Sequence, residues 1–455
     1  MSGNAYSLPG GMYRRLIALM LPVILQNLIS AVVNSADVFM LSSVGQAPLS
    51  AASLAGQITF VLTLFHWGIC AGTTMMASQY YGKREMTVIR QIQGFALLLL
   101  LIVGVVFSLA CLCIPHLLMR IFTADAQLIR LGADFLRLLG MSYIPMSASQ
   151  ALLAVFKSVG KTRLSAIIST LCLLTNISLN FVSIRVLFPH DPQLAMTGVA
   201  AATVIARLFE LALCLFAIRR GSSVPLAFSD CLRVPRWLAR DFVRLTAPVQ
   251  ANHLIAGLAL AALTAIMGRM GSDMVSANAI ASNLRELVCV ACMALGTAGS
   301  ILLGQEMGAG RMQEAKALGK SLEITSLVLG VLAGLVLMLI RRPVIALCGL
   351  EGEAATLLHQ MIPICAAYCV GRSYNSCLIS GIFCAGGDTR FGLILDAITM
   401  WVLVLPAALL AAFVWKLPPV LVYFFLNTDE FYKMPPSAWR LRRYRWLRNL
   451  TRHEI

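Results

Sequence analysis

The sequence is short of charge. Of its 455 residues only 12% are Asp, Glu, Lys or Arg, against 59% that are hydrophobic. Soluble domains carry roughly 25% charged residues. Half that amount cannot cover a water-facing surface, so a soluble multidomain chain is excluded. Acidic residues are the scarcer sign: 20 Asp and Glu stand against 36 Lys and Arg, for a net charge of +16. The basic residues fall between apolar runs and not along one amphipathic surface, which argues against a nucleic-acid face. They read as topology determinants and headgroup anchors. Polar cysteine motifs are also missing. The 13 Cys are scattered through apolar runs, as at Cys70, Cys111, Cys113, Cys172 and Cys214. Cys289 and Cys292 are three apart, but in an apolar stretch, not a polar redox turn, and there is no His/Cys cluster at zinc spacing. Cysteines of this kind serve as small buried hydrophobes. Gly160-Lys161-Thr162 looks like the end of a P-loop, yet the first glycine of that motif would fall at Val155. Neither an enzyme nor an organic cofactor is expected. Nor is a removable signal peptide, because the first apolar run begins near Leu16 and is too long for an h-region.

What the chain has instead is length in apolar segments. A membrane helix needs about 20 largely apolar residues, and an open sheet cannot satisfy its backbone in lipid. The pattern predicts twelve helices: 16–42, 52–77, 94–119, 131–156, 165–188 and 197–218, then 243–267, 277–303, 318–340, 357–384, 390–414 and 416–432, the last being the shortest. With the N-terminus in the cytoplasm, 25 Lys and Arg fall on the cytoplasmic side and 7 on the other. That bias predicts both termini inside, in the plasma membrane.

The halves repeat. Pro22 reappears as Pro248, Gly45 as Gly271, Ser50 as Ser276, Gln79 as Gln305 and Gly82 as Gly308, all at one offset. Phe156, Gly160, Thr162 and Arg163 reappear one residue later as Phe383, Gly387, Thr389 and Arg390. Six helices per repeat give both the same orientation, hence a pseudo-twofold axis along the membrane normal. The expected organisation is an all-α integral membrane protein with a lobe at 1–220, a linker at 221–242 and a second lobe with a basic tail at 243–455. Duplication of this kind is typical of transporters that rock two bundles around a central site.

Three segments carry a family resemblance. The run from Pro22 to Gly45, with Asn34 and Asp37 deep in the first helix, resembles the start of multidrug and toxic compound extrusion (MATE) transporters. Ser78-Gln79-Tyr80-Tyr81-Gly82-Lys83 resembles that family's loop after helix two. Gly386-Gly387-Asp388-Thr389-Arg390 resembles its loop between helices ten and eleven, with Asp396 following. The resemblance spans nearly the whole chain. It implies a V-shaped cavity between two lobes and an exporter of cationic or amphiphilic small molecules, driven by inward H⁺ or Na⁺.

Candidate site residues follow from the cost of polarity in lipid. A charge near the bilayer centre costs roughly 2.5–3.5 kcal/mol, so Asp37 is expected to be functional. Asn34 shares its helix face, and Pro22 can kink the helix and free carbonyls. A Na⁺ at Asp37 is the one metal site considered. Asn176 and Asn180 share a face of the fifth span, as a coupling or substrate site or as interhelical hydrogen-bonding glue. The resemblance often places Asp at the second of these positions, so Asp37 is left as the titratable group of the first lobe. Thr203 matches a polar position of the same family site. In the second lobe, one family branch has a Glu in helix seven where this chain is apolar near Ala256. Asn252 and His253 follow Pro248 instead, and His253 can titrate near neutral pH. Asp396, Glu286 and Arg372 lie in apolar spans, the latter two as candidates for Arg–carboxylate pairing. The Arg- and Trp-rich tail is expected to meet anionic headgroups. A flippase for lipid-linked precursors is the alternative within the superfamily, and a non-transporting scaffold the alternative outside it. Small-molecule substrate and lipids are the expected partners of a monomer, with no nucleic acid.

Overall fold

A computed structural model of the chain describes residues 10–42, 44–221, 224–225, 234–347 and 352–452, without the side chains of 34–39, 41–42, 344 and 346–347. Every regular element among them is a helix. In chain order these are α1 (Gly10–Ser42), α2 (Gln46–Gly82), α3 (Met86–Cys113), α4 (Pro115–Arg120), α5 (Ala126–Met141), α6 (Tyr143–Ser158), α7 (Thr162–Leu187) and α8 (Pro192–Arg219). The second half supplies α9 (Arg236–Gly268), α10 (Ser272–Gly308), α11 (Met312–Leu347), α12 (Gly352–Phe383), α13 (Thr389–Val414), α14 (Pro419–Leu426) and α15 (Asp429–Arg442).

Ten of these helices are long and apolar enough to cross a membrane, and α5 with α6 forms one more span bent by 44°. The chain is thus a multi-pass membrane protein. Twelve spans were expected, and the difference lies at 416–432. There the apolar run ends at Leu426, and Asp429 and Glu430 open a polar helix. Asn427 and Thr428 stop α14 by donating to its own carbonyls, Nδ2 to Tyr423 O at 2.8 Å and Oγ1 to Phe425 O at 2.7 Å. These side-chain bonds give the carbonyls at the break partners that an unbroken helix would supply.

The duplication is visible in backbone turns. Lys83 N bonds Gln79 O and Ala309 N bonds Gln305 O, and Lys161 N bonds Phe156 O as Asp388 N bonds Phe383 O. Gly310 takes a φ of +77°, and its counterpart at the repeat offset, Arg84, takes +66°. A glycine meets that requirement without strain, whereas an arginine there is uncommon.

The chain forms two compact units. One holds residues 25–77 and 85–244, the other residues 1–24, 78–84 and 245–455. The start of α1, up to Ile24, and the end of α2 therefore group with the second half of the sequence. The passage along α1 comes two residues after Pro22, and the passage along α9 three residues ahead of Pro248. Of the linker expected at 221–242, residues 222–223 and 226–233 lie outside the described ones, and α9 begins within it.

In the first unit, Gly104 lies where a Cβ would sit 2.5 Å from Ser147 Oγ, bringing α3 onto α6. In the second, Gly330 and Gly334 bring α11 onto α12, with Cβ positions 2.8 Å from Val370 Cα and 2.6 Å from Ala366 O. Close approach at small residues is how helices associate where lipid removes the hydrophobic drive. The outward faces stay apolar: Ile102, Val106 and Leu109 on α3, and Val328, Leu332 and Leu335 on α11, are all exposed. Lipid, not water, is the medium that tolerates such a band.

Candidate functional site

In the first unit, Asp37 and Asn34 lie on the helical backbone of α1, and their side chains lie outside the described residues. The other three expected residues come together. Asn180 Nδ2 donates to Asn176 Oδ1 at 3.4 Å, and Asn176 Nδ2 donates to Thr203 Oγ1 at 3.3 Å. Spacing of one turn puts both amides on one face of α7, and Thr203 meets them from α8. Thr203 Oγ1 in turn donates to Val199 O at 3.1 Å. Directly after Asn180, α7 widens into a π turn at Ser183–Leu187, a distortion often found at functional positions. Further along α8, Glu210 is buried and pairs with Arg207 at 3.0 Å.

The second unit holds a denser site. Asp396 on α13 accepts from Asn252 Nδ2 of α9 at 2.7 Å. Its other oxygen lies 2.9 Å from Lys433 Nζ of α15. Lys433 is also 2.9 Å from Asp429 Oδ2 and 4.0 Å from Glu430 Oε1. Glu430 accepts from Arg372 Nη1 at 3.2 Å, Asn375 Nδ2 at 2.9 Å and Tyr368 Oη at 3.4 Å, all from α12. Gly371 lets α15 approach this closely, since a Cβ there would lie 2.8 Å from Glu430 Cβ. Arg285 of α10 donates to Asn427 Oδ1 at 2.9 Å and lies over the Tyr368 ring at 4.6 Å. His253 is partly buried beside Asn252, within electrostatic reach of Asp396 and Arg372.

Of the expected second-lobe residues, Asn252, Asp396 and Arg372 thus enter one network. Glu286 is exposed, and the carboxylate bonded to Arg372 is Glu430. Asp429, Glu430 and Lys433 were not anticipated. They sit at the end of the shortest apolar run, where charge reads as the end of a span and not as its interior.

A third cluster lies where α2 and α10 end. Gln79 Nε2 donates to Ala385 O at 2.8 Å and Arg448 O at 3.2 Å, while its Oε1 accepts from Leu450 N at 2.7 Å. Asp388 makes a two-pronged pair with Arg440, at 2.6 and 2.8 Å. Trp446 is fully buried, its backbone against Gly386 and its ring against Gly319. Trp446 thus docks the tail, while Arg442, Arg443, Arg445 and Arg448 stay exposed. Glu306 is buried as well, with Arg15 at 3.4 Å and Arg311 at 2.5 Å.

The profile of the MatE family matches residues 22–182 and 248–410. The chain belongs to the MATE family. It is a membrane transporter, and both matched segments of this MATE chain open on the paired prolines, Pro22 and Pro248. The second match ends before α14, so Asp429, Glu430 and Lys433 lie beyond the matched segments. Similar proteins include the uncharacterized transporter YisQ of Bacillus subtilis, 23% identical over 87% of this chain and 86% of its own. Multidrug resistance protein MdtK of Edwardsiella ictaluri is 22% identical over 90% and 89%. Among solved structures, MATE in complex with MaL6 matches at TM-score 0.87 and 17% identity over 95% and 96% of the two chains. A MOP superfamily transporter from Pyrococcus furiosus matches at 0.86 and 17% over 97% and 99%. At such identities the structural likeness speaks to the fold alone.

Proposed function

We propose that this MATE transporter exports cationic or amphiphilic small molecules in exchange for H⁺ or Na⁺. The observation that carries the reading is Asp37, an acidic residue within the long α1 helix of a chain of this family. A carboxylate at that position attracts cations, and it can take up a proton or coordinate Na⁺ and release either when a substrate cation competes. The amide ladder of Asn180, Asn176 and Thr203 supports it, by offering neutral donors and acceptors for a polar substrate group without adding charge. Multidrug resistance relatives such as MdtK support the substrate class. One inward H⁺ gains about 2.3 kcal/mol per 100 mV. At 1.4 kcal/mol per tenfold that sustains roughly a fiftyfold gradient of a neutral substrate. A monovalent cation exchanged one for one moves no net charge and runs on the ion's concentration gradient instead.

The loop charge bias supports a plasma-membrane location with both termini in the cytoplasm. A flippase of pyrophosphate-linked precursors would want net positive charge in its site. Arg207, Arg372 and Lys433 each have a carboxylate partner, and Arg285 bonds the neutral Asn427, so most of the positive charge is already compensated, which disfavours that reading. The test is efflux of a fluorescent lipophilic cation from pump-deficient cells, comparing wild type with Asp37→Asn at equal expression, with an H⁺ or Na⁺ ionophore in turn. Wild-type efflux should vanish in the variant and with one ionophore. Efflux that persists with both gradients collapsed rejects the proposal.

A further inference from the structure

The second unit surrounds an ammonium with three carboxylates, Asp429 and Glu430 buried and Asp396 partly so. Lys433 is 5% exposed. Its Nζ lies 2.9 Å from Asp396, 2.9 Å from Asp429 and 4.0 Å from Glu430. The oxygen of Asp396 turned away from Lys433 is held by Asn252, and Glu430 is held by Arg372 and Asn375. Asp396 and Glu430 are thus fixed by neutral and cationic donors on other helices, and Asp429 meets Lys433 from one turn earlier on α15. Such an arrangement of oxygens is what a small monovalent cation needs. Here the positive charge at that point is covalently attached to the chain.

The charge balance gives Lys433 its role. Asp396, Asp429 and Glu430 contribute three negative charges, and Arg372 and Arg285 two positive ones. Lys433 brings these groups to neutrality; Glu286, exposed on α10, adds a solvent-facing negative charge near Arg372. Removal of Lys433 leaves one uncompensated carboxylate in a site of low dielectric constant, where charge without a counter-charge is costly. We propose that the Lys433 ammonium occupies a cation cage made by Asp396, Asp429 and Glu430, so that this unit takes up no free monovalent cation while Lys433 is in place and binds one when it is removed. Lys433 is then the residue that sets ion specificity in this half of the protein. The inference stands whether or not Asp37 couples transport.

The experiment uses the full chain, purified, in an Asp37→Asn background, so that a cation at Asp37 cannot contribute. Thermal unfolding is followed at pH 8 in NaCl and in choline chloride of equal ionic strength. With Lys433 intact, the two melts should coincide. With Lys433→Met added, Na⁺ should raise the Tm by a few degrees, saturating with concentration, because a ligand that binds only the folded state stabilises it. Adding Asp396→Asn to that variant should abolish the Na⁺ effect. A Na⁺-specific rise with Lys433 intact overturns the proposal. So does a Lys433→Met protein that melts cooperatively but ignores Na⁺, Li⁺ and K⁺, including one in which a proton fills the gap and only pH moves the melt. If Lys433→Met yields no folded protein in choline chloride, recovery on extraction is the readout. Folded protein from NaCl alone supports the cage, and failure in both salts overturns it.

Discussion

Replacing Glu430 by alanine tests whether the charge network holds α15 against α12. Glu430 is 1% exposed, and its carboxylate accepts from Arg372, Asn375 and Tyr368. Removing one partner of a buried pair costs about 3–5 kcal/mol, because the other charge is left uncompensated. Arg372 is 40% exposed at its side chain, so solvation recovers part of that. The Asn375 amide keeps one bond, to Glu430 O at 2.6 Å, and loses the other, at the lower end of the roughly 1–3 kcal/mol for an orphaned group. The sum comes to about 3 kcal/mol. In detergent this should appear as a Tm lowered by several degrees, read by intrinsic fluorescence. The Glu430→Ala, Arg372→Met double variant should recover much of the loss, since a buried pair replaced by apolar groups is often close to neutral. Glu286→Ala, at an exposed position of α10, should leave the melt unchanged. If Glu430→Ala melts with the wild type, or if the double variant melts below it, the network does not secure these helices.

Trp446→Ala removes a fully buried indole and should cost about 3–5 kcal/mol, making the bonds after Arg448 and Arg452 readily cleaved in limited trypsin digestion. Gly386→Ala should release the same segment without touching Trp446, because its Cβ would fall on Trp446 O. Gly330→Leu should lower the Tm by separating α11 from α12. Thr203→Val should cost only about 0.6 kcal/mol, the average for an interhelical hydrogen bond in a membrane, so a large loss of transport with little change in Tm would mark a role in substrate or ion binding.

Much of the fold was legible because lipid imposes a simple rule on sequence. Ten spans and the bent pair follow from length and apolarity, and the family from Pro22, Gly82 and the Gly386–Arg390 loop, whose counterparts lie at offsets one residue apart. The break after Leu426 was not legible, since 416–432 reads as one short span although Asp429 and Glu430 already open a polar helix within it. What keeps Asp429, Glu430 and Lys433 buried is their pairing with Asp396 and Arg372, 37 and 58 residues earlier in the chain, which no local pattern reveals. The docking of Trp446 was hidden for a similar reason. Arg and Trp together suit a headgroup surface, and only Gly319 and Gly386, two glycines distant in sequence, show that Trp446 has a pocket. In the first unit the pair Asn176 and Asn180 was readable from one-turn spacing. Thr203 joined it through a resemblance and not through any pattern of its own.

The most direct test of ion-coupled export is reconstitution. Purified wild-type protein and Asp37→Asn are placed in liposomes with an imposed H⁺ or Na⁺ gradient, and accumulation of a fluorescent lipophilic cation is followed. One of the two gradients should drive accumulation in wild type, its collapse by ionophore should abolish it, and Asp37→Asn should show none. Accumulation that is the same with no gradient, or undiminished in Asp37→Asn, would rule out ion-coupled export through Asp37.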